Sequence, residues 1–259
     1  MKAYIITGTS KGLGKAIAEE IMATEISPRL YCISRNVNDD LISTAAVNDI
    51  DMDYISYDLS DLSGIQEIMK DIIEELITIK DELDGIYLVN NAGVVGPVKA
   101  IDHMEAEGLI NNIHVNLIAP MLLTSAFIQL TKKLTIEKRI MNISSGAADH
   151  GYYGWSAYCA SKAGVNLFTE TVGIEQGYQN HGVKILSLAP GIVDTGMQEE
   201  IREATEEEFR DVGRFVAFKE NGDLMHPEVV AKDTVRLLHH SKYPMGANLD
   251  IGELEAYIN

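Results

Sequence analysis

The stretch Ala3-Tyr4-Ile5-Ile6-Thr7-Gly8-Thr9-Ser10-Lys11-Gly12-Leu13-Gly14 decides the fold class. Four apolar residues read as a buried strand, a glycine-rich turn follows at once, and Lys15 to Ala23 continues with helical spacing. Glycine permits a tight turn and close backbone approach, which places a phosphate at a helix N-terminus. Steric strand-to-helix turns also use glycine, so the turn alone leaves its purpose open. Its spacing is G-x3-G-x-G, not G-x-G-x-x-G.

The same alternation continues along the chain. Further strands are predicted at Leu30–Ser34, Asp53–Tyr57, Gly85–Val89, Arg139–Ile143 and Val183–Leu188, with a last short one near Asn248–Ile251. Helical stretches lie between them at Leu62–Lys80, Glu105–Lys132 (one helix or two) and Ala157–Tyr178. Continuously apolar strands separated by helices imply a parallel sheet covered on both faces. Right-handed crossovers then give an α/β, doubly wound parallel sheet, a Rossmann fold, as one domain over residues 1–259. Ligands in such sheets bind beyond the carboxyl ends of the strands. Gly8, Arg35, Asp58, Asn90, Ser145 and Pro190 each follow a predicted strand, so all fall on that rim.

Composition narrows the class. Hydrophobic residues make up 46% and mean hydropathy is −0.01, which describes an ordinary globule with a sizeable core. The formal charge of −18 argues against nucleic acid or an anionic membrane as partner. No continuous apolar run approaches the roughly 20 residues of a membrane span. The first residues run straight into a strand, so no signal peptide is expected. Two cysteines, Cys32 and Cys159, fit a reducing cytoplasm better than a disulfide framework. No Cys/His spacing suggests a metal.

Ser145, Tyr158 and Lys162 form S-x12-Y-x3-K. Tyr158 and Lys162 share one face of a helix, so their side chains can converge. An ammonium near a phenol favours phenolate and lowers a pKa normally about 10. Such a tyrosine can protonate a developing alkoxide, or deprotonate an alcohol. A nearby serine hydroxyl can hold the same oxygen.

The motifs T-G-x3-G-x-G, Asn90-Asn91-Ala92-Gly93, Asn116, Ser145, Tyr158-x3-Lys162 and Pro190-Gly191 resemble the short-chain dehydrogenase/reductase superfamily, in order and along essentially the whole chain. The resemblance implies an enzyme of CH–OH/C=O hydride transfer that binds NAD(P)(H) without a metal. It implies Tyr158 as general acid/base, Lys162 as the group lowering its pKa and bonding the nicotinamide ribose, and Ser145 as the hydroxyl polarising substrate oxygen. Asn116 would hold a water in a proton relay. Ser144 also precedes the loop, but the family's spacing to the tyrosine selects Ser145. Ile6, Gly8, Ser10, Lys11, Gly12, Leu13 and Gly14 would form the phosphate turn. Asp58 and Leu59 resemble the adenine contacts, Asn90 and Asn91 the adenosine-ribose region, and Val193 and Thr195 the carboxamide and phosphate contacts. Asn90 could equally bridge strands.

NAD readers place a carboxylate after the second strand. Here Ser34-Arg35-Asn36 offers none, and the Arg35 fork suits a 2′-phosphate, with Lys11 adding charge. NADPH/NADP+ is therefore the expected cofactor, although Arg35 could be only a solvated rim residue. Tyr152, Tyr153 and Trp155 suggest a wall for a flat aromatic substrate, or ordinary loop packing. Residues 195–220, with Met197, Phe209, Phe215 and Phe218, sit where the family has a mobile lid.

Ser34-Arg35-Asn36 and Gly246-Ala247-Asn248-Leu249-Asp250 are similar to the sepiapterin reductase group, within which the bacterial benzil reductases look nearest. That resemblance implies reduction of a vicinal diketone or aryl carbonyl, with Asp250 and Gly191 on the substrate side. Asp250 could equally cap a strand end. The alternatives are a 3-oxoacyl-thioester reductase, a sugar or polyol dehydrogenase, or a catalytically silent NADP-binding regulator. Relatives pair through the helix of Tyr158 and the one before it, so a homodimer is expected, with a tetramer as the alternative. Phe127, Leu130, Leu167, Phe168 and Val172 would form that interface or face the sheet.

Overall fold

The computed structural model describes residues 1–258. Strands β1 (Lys2–Thr7), β2 (Arg29–Ser34), β3 (Asp51–Ser56), β4 (Gly85–Asn90), β5 (Glu137–Ile143), β6 (Lys184–Ala189) and β7 (Asn248–Asp250) form one seven-stranded sheet in the order β3-β2-β1-β4-β5-β6-β7. Every pairing is parallel, with Tyr4 opposite Leu30 on one side and Tyr87 on the other. The winding reverses between β1 and β4, which opens a crevice at their carboxyl ends.

Alternation along each strand fills two helical layers. Tyr4 and Ile6 face a core shared with α1 (Gly12–Thr24), α2 (Asp39–Val47) and α9 (Pro227–Leu238). Ala3 and Ile5 face the other, built with α3 (Ile65–Thr78), α5 (Ala119–Thr131) and α6 (Ser156–Gly177). Phe127 and Val172 are buried in this second core, so they pack on the sheet and are unavailable to a subunit interface. Leu167, at 65% exposure, remains outside, while Leu130 and Phe168 are partly covered.

The outer strands depart from the continuously apolar reading. In β3 exposed residues (Asp51, Asp53, Ser56) are interspersed with partly covered ones and none is buried, because an edge strand is covered less completely. Helix α2 had no clear signal, since it buries only Leu41 and Ala45. It is fixed instead by its cap: Leu41 N donates to Asn38 Oδ1 at 2.8 Å.

Helix α4 (Ala106–Ile113) passes into α5 through a π-helical turn at His114–Ile118, making one 26-residue helix with a mean hydropathy of 1.5 in its most apolar window. By length and composition it could cross a membrane. The sequence reading missed this because Gly108, Asn111, Asn112 and Asn116 interrupt the apolar run. Here the helix packs against α3, α6 and the sheet, as a core helix does.

Two more helices, α7 (Gly196–Glu203) and α8 (Val212–Glu220), span the stretch where a lid was expected. They close a third apolar cluster with Val95, Ala147, Trp155 and Tyr158, in which Phe209 is fully buried.

Candidate active site

A cleft of about 510 Å³ opens along the carboxyl ends of the strands, beneath α7 and α8. Its first wall is the turn from β1 to α1. Gly8 has φ +75°, and a Cβ on Gly14 would overlap Gly8 O and Asn91 Nδ2. Asn91 Nδ2 donates to Thr7 O at 3.0 Å and Gly8 O at 3.3 Å, so Asn91 props the turn from behind. Helix α1 begins at Gly12 without a side-chain cap. Its first N–H groups are thus free for an anion, as a dinucleotide phosphate requires. The cradle fits the nicotinamide dinucleotide that the sequence implies.

Ser10, Lys11, Gly12, Leu13, Arg35, Asp58, Leu59 and Asn91 line the cleft, as do Gly191, Val193, Thr195 and Asp250, with Thr195 packed against Gly12. Ile6, Gly14, Asn90 and Asn116 stand behind its surface. Ile6 is a fully buried core residue of β1. Asn90 Nδ2 donates to Asn142 Oδ1 at 2.8 Å and Thr124 Oγ1 at 3.3 Å, bridging strands, which is the second of the two roles open to it in sequence. Asp250 both lines the cleft and accepts from Gly252 N at 2.8 Å.

Arg35 is exposed at the end of β2 and makes no ion pair among the described residues. Its backbone is pinned: Ser56 Oγ donates to Arg35 O at 3.0 Å and Tyr54 OH to Asn36 O at 3.0 Å. These β3 residues carried no signal in sequence, because their role depends on strand pairing. Lys11 extends toward the lid, its ammonium 3.0 Å from where a Cβ on Gly196 would sit. Lys11 also offsets the burial that raises the Glu200 carboxyl.

The chemical centre lies where β5 meets α6. Tyr158 is 6% exposed and Lys162 5% exposed, one helical turn apart. Lys162 Nζ donates to Ile143 O at 2.8 Å and lies 5.8 Å from the Tyr158 ring centroid. Burial pushes the Lys162 ammonium down to about 8. Burial also raises the Tyr158 phenol above its ordinary value, against a hydrogen bond from Ser145 that lowers it. The lowering expected from Lys162 is therefore corrected: removing both groups from water dominates, and the phenol holds its proton at neutral pH.

Ser145 Oγ accepts from Ala147 N at 3.2 Å, which fixes the hydroxyl beside the phenol. Ser144 Oγ instead donates to Asn166 Oδ1 at 2.6 Å and is engaged elsewhere. Asn116 lies in the π-helical turn, a local geometry common at functional sites. Its Oδ1 accepts from Val94 N at 2.9 Å, and its Nδ2 donates to Val94 O at 2.7 Å and Asn112 Oδ1 at 2.9 Å. The side chain thus braces the loop after β4, and the water-holding role expected of it finds both amide ends already bonded.

The aromatic residues form a wall. Trp155 stacks on Phe209 at 4.6 Å and meets Tyr158 edge-on at 5.5 Å. From the lid, Met197 Sδ lies 3.9 Å from the Tyr158 hydroxyl. Arg214 and Gln198, also on the lid, line the cleft; neither had a motif to reveal it.

Residues 2–206 match the family model described as short chain dehydrogenase, and the chain belongs to that family of oxidoreductases. It is 44% identical to a benzil reductase ((S)-benzoin forming) of Bacillus cereus, over 98% of this chain and all of that one. A sepiapterin reductase of Bos taurus is 27% identical, covering 95% of this chain and 92% of its own. Among solved structures, the KRED1-Pglu enzyme superposes with a TM-score of 0.81 at 28% identity, over 96% of this chain and 100% of its own.

Proposed function

We propose that the chain is an NADPH-dependent carbonyl reductase whose substrate is a vicinal diketone or related aryl ketone, benzil to benzoin being the model reaction. The observation that carries this reading is the aromatic wall closing over the phenol, with Trp155 against the Tyr158 ring and Met197 at its hydroxyl. End-to-end similarity to a benzil reductase supports it.

The β1–α1 turn (Gly8, Ser10, Lys11, Gly12, Leu13) would hold the pyrophosphate, and Arg35 the 2′-phosphate. Asp58, Leu59 and Asn91 would lie along the adenosine, and Val193, Thr195 and Lys162 along the nicotinamide half. When bound, the reduced nicotinamide supplies the hydride. Tyr158, kept neutral by burial, gives its proton to the substrate oxygen. Ser145 donates a hydrogen bond to that oxygen as charge develops. Lys162, cationic at neutral pH, stabilises the phenolate left behind. The lid excludes water from these groups.

Asp250 on the cleft favours a second reading, in which its carboxylate pairs with the N–H groups of a pterin. A polyol is disfavoured, because the aromatic wall leaves its hydroxyls few partners. Convergence of Ser145, Tyr158 and Lys162 disfavours a silent regulator. Initial rates on benzil, sepiapterin and a 3-oxoacyl thioester, with NADPH and NADH, test the reading. It predicts benzil with NADPH as the best pair, and turnover of the thioester alone would overturn it.

A homodimer through the outer face of α6 belongs to the same proposal, supported by Leu167 and Ile174 at 65% and 59% exposure. Cytoplasmic location is supported by two free cysteines.

A further inference from the structure

Helix α7 carries two buried polar atoms that bond nothing, Gln198 Oε1 and Arg202 Nη1. They belong to residues four apart, so their side chains share one face of the helix. One atom is an acceptor and the other a donor, and neither is open to water. Unpartnered buried polar groups are rare, because a lost bond to water must be replaced. Each supplies what the other lacks.

The two residues differ in what else they meet. Gln198 is 8% exposed and lines the cleft, whereas Arg202 stands behind it. The Gln198 Nε2 forms no hydrogen bond among the described residues and, unlike Oε1, is not sealed from solvent. Gln198 N donates to Thr195 O at 2.9 Å, which fixes the residue in the first turn of α7. Met197, just before it, brings its sulfur to 3.9 Å from the Tyr158 hydroxyl, so this turn stands over the reacting centre.

We infer that Gln198 Nε2 is the donor for a second substrate oxygen, on the carbon next to the reacting carbonyl, and that Arg202 positions it by pairing with Oε1. This rests on the reductase reading and deepens it. The pairing also settles which way the amide faces, since the reverse orientation would set Nε2 against the guanidinium, donor against donor. Reduction moves a hydride from NADPH to one carbonyl carbon and a proton from Tyr158 to its oxygen, leaving NADP+ and an α-hydroxy ketone. The neighbouring C=O is unchanged and needs a donor once it has left water.

Other donors near the cleft are placed differently. Arg214 lines it but is exposed, with its guanidinium 5.2 Å from the Phe218 ring centre, so it keeps its water with or without substrate. Trp155 Nε1 is sealed from solvent within the aromatic cluster. Ser145 is engaged at the phenol. A site built to donate to an oxygen rejects an analogue lacking it, since the donor is then left unpaired.

Benzil and deoxybenzoin make a matched pair, the second lacking one carbonyl oxygen. Their intrinsic reactivities cancel when a variant is compared with wild type. In Gln198→Met, which keeps the length of the side chain, the ratio of kcat/KM for benzil to that for deoxybenzoin should fall about tenfold or more. An unchanged ratio, including equal loss on both, overturns the inference. So does a raised KM for NADPH at constant ratio, which would assign the amide to the cofactor. Arg202→Met should lower the same ratio, Arg202→Lys should recover part of it, and neither should lower it further in the Gln198→Met background. Losses that add in full in the double variant would overturn the positioning role of Arg202. If wild type reduces benzil but the ratio does not respond to Gln198→Met, this inference fails alone. If wild type does not reduce benzil with NADPH, the reductase reading fails with it.

Discussion

Lys162 Nζ donates to Ile143 O at 2.8 Å and stands 5.8 Å from the centre of the Tyr158 ring. The lysine is thus tethered to the end of β5, and burial governs both groups. It lowers the ammonium to about 8 and raises the phenol. Near pH 7 the pair is a neutral acid beside a cation, the state that carbonyl reduction needs.

The rate of reduction should follow the lysine. Its cationic form stabilises the phenolate that proton transfer creates, so the rate is level near neutrality and falls as pH rises through about 8. A kcat/KM profile with saturating NADPH checks this. A profile that rises across that window would show another group in control.

The same burial makes Lys162 a stability cost. Its folded pKa lies below its unfolded one, so the unfolded chain binds the extra proton between pH 8 and the ordinary lysine range near 10.4. Stability of the unliganded protein should therefore rise with pH through that window. Lys162→Met should raise stability near pH 7 by about 1–2 kcal/mol, net of the lost bond to Ile143 O, and abolish turnover. Thermal melts of both forms against pH provide the measurement.

Arg35 has no carboxylate partner, and its loop is fixed by Tyr54 and Ser56. Arg35→Ser should raise KM for NADPH about 10- to 100-fold, the worth of one or two charge-assisted hydrogen bonds. KM for NADH should hardly move. Equal loss with both cofactors would mean that Arg35 does not read the 2′-phosphate.

The lid rests on the loop before α6 through Gly154, whose φ is +88°. A Cβ there would overlap the carbonyl of Glu208 and push Phe209 away from Trp155. Gly154→Ala should raise KM for the diketone about tenfold and increase proteolytic cutting between α7 and α8, while KM for NADPH holds. An unchanged KM and cutting pattern would mean that the lid is not docked through this contact.

Much of the site was legible because its parts are local. The β1–α1 turn, Arg35 after β2, and the Tyr158–Lys162 pair each sit within a few residues of a strand end. Edge strand β3 was harder to read, since its residues alternate in exposure instead of running apolar. Helix α2 escaped because its cap and two buried side chains leave little periodicity. The sign of the Tyr158 shift was misjudged for a deeper reason. Spacing showed that a cation was one turn away, but only the packed lid shows that both groups have lost water. Asn116 was placed correctly on the helix before β5, while its bonds to Val94 and Asn112 depend on the folded loop. Likewise, Phe127 and Val172 could be assigned to the core only once the helix faces were known.

Single-turnover oxidation of NADPH with benzil, comparing wild type with Tyr158→Phe, addresses the proton donor most directly. Wild type should form one benzoin per NADPH consumed, and the variant should lose at least a hundredfold in rate while binding NADPH normally. A variant that reduces benzil within threefold of wild type would show that the proton comes from elsewhere.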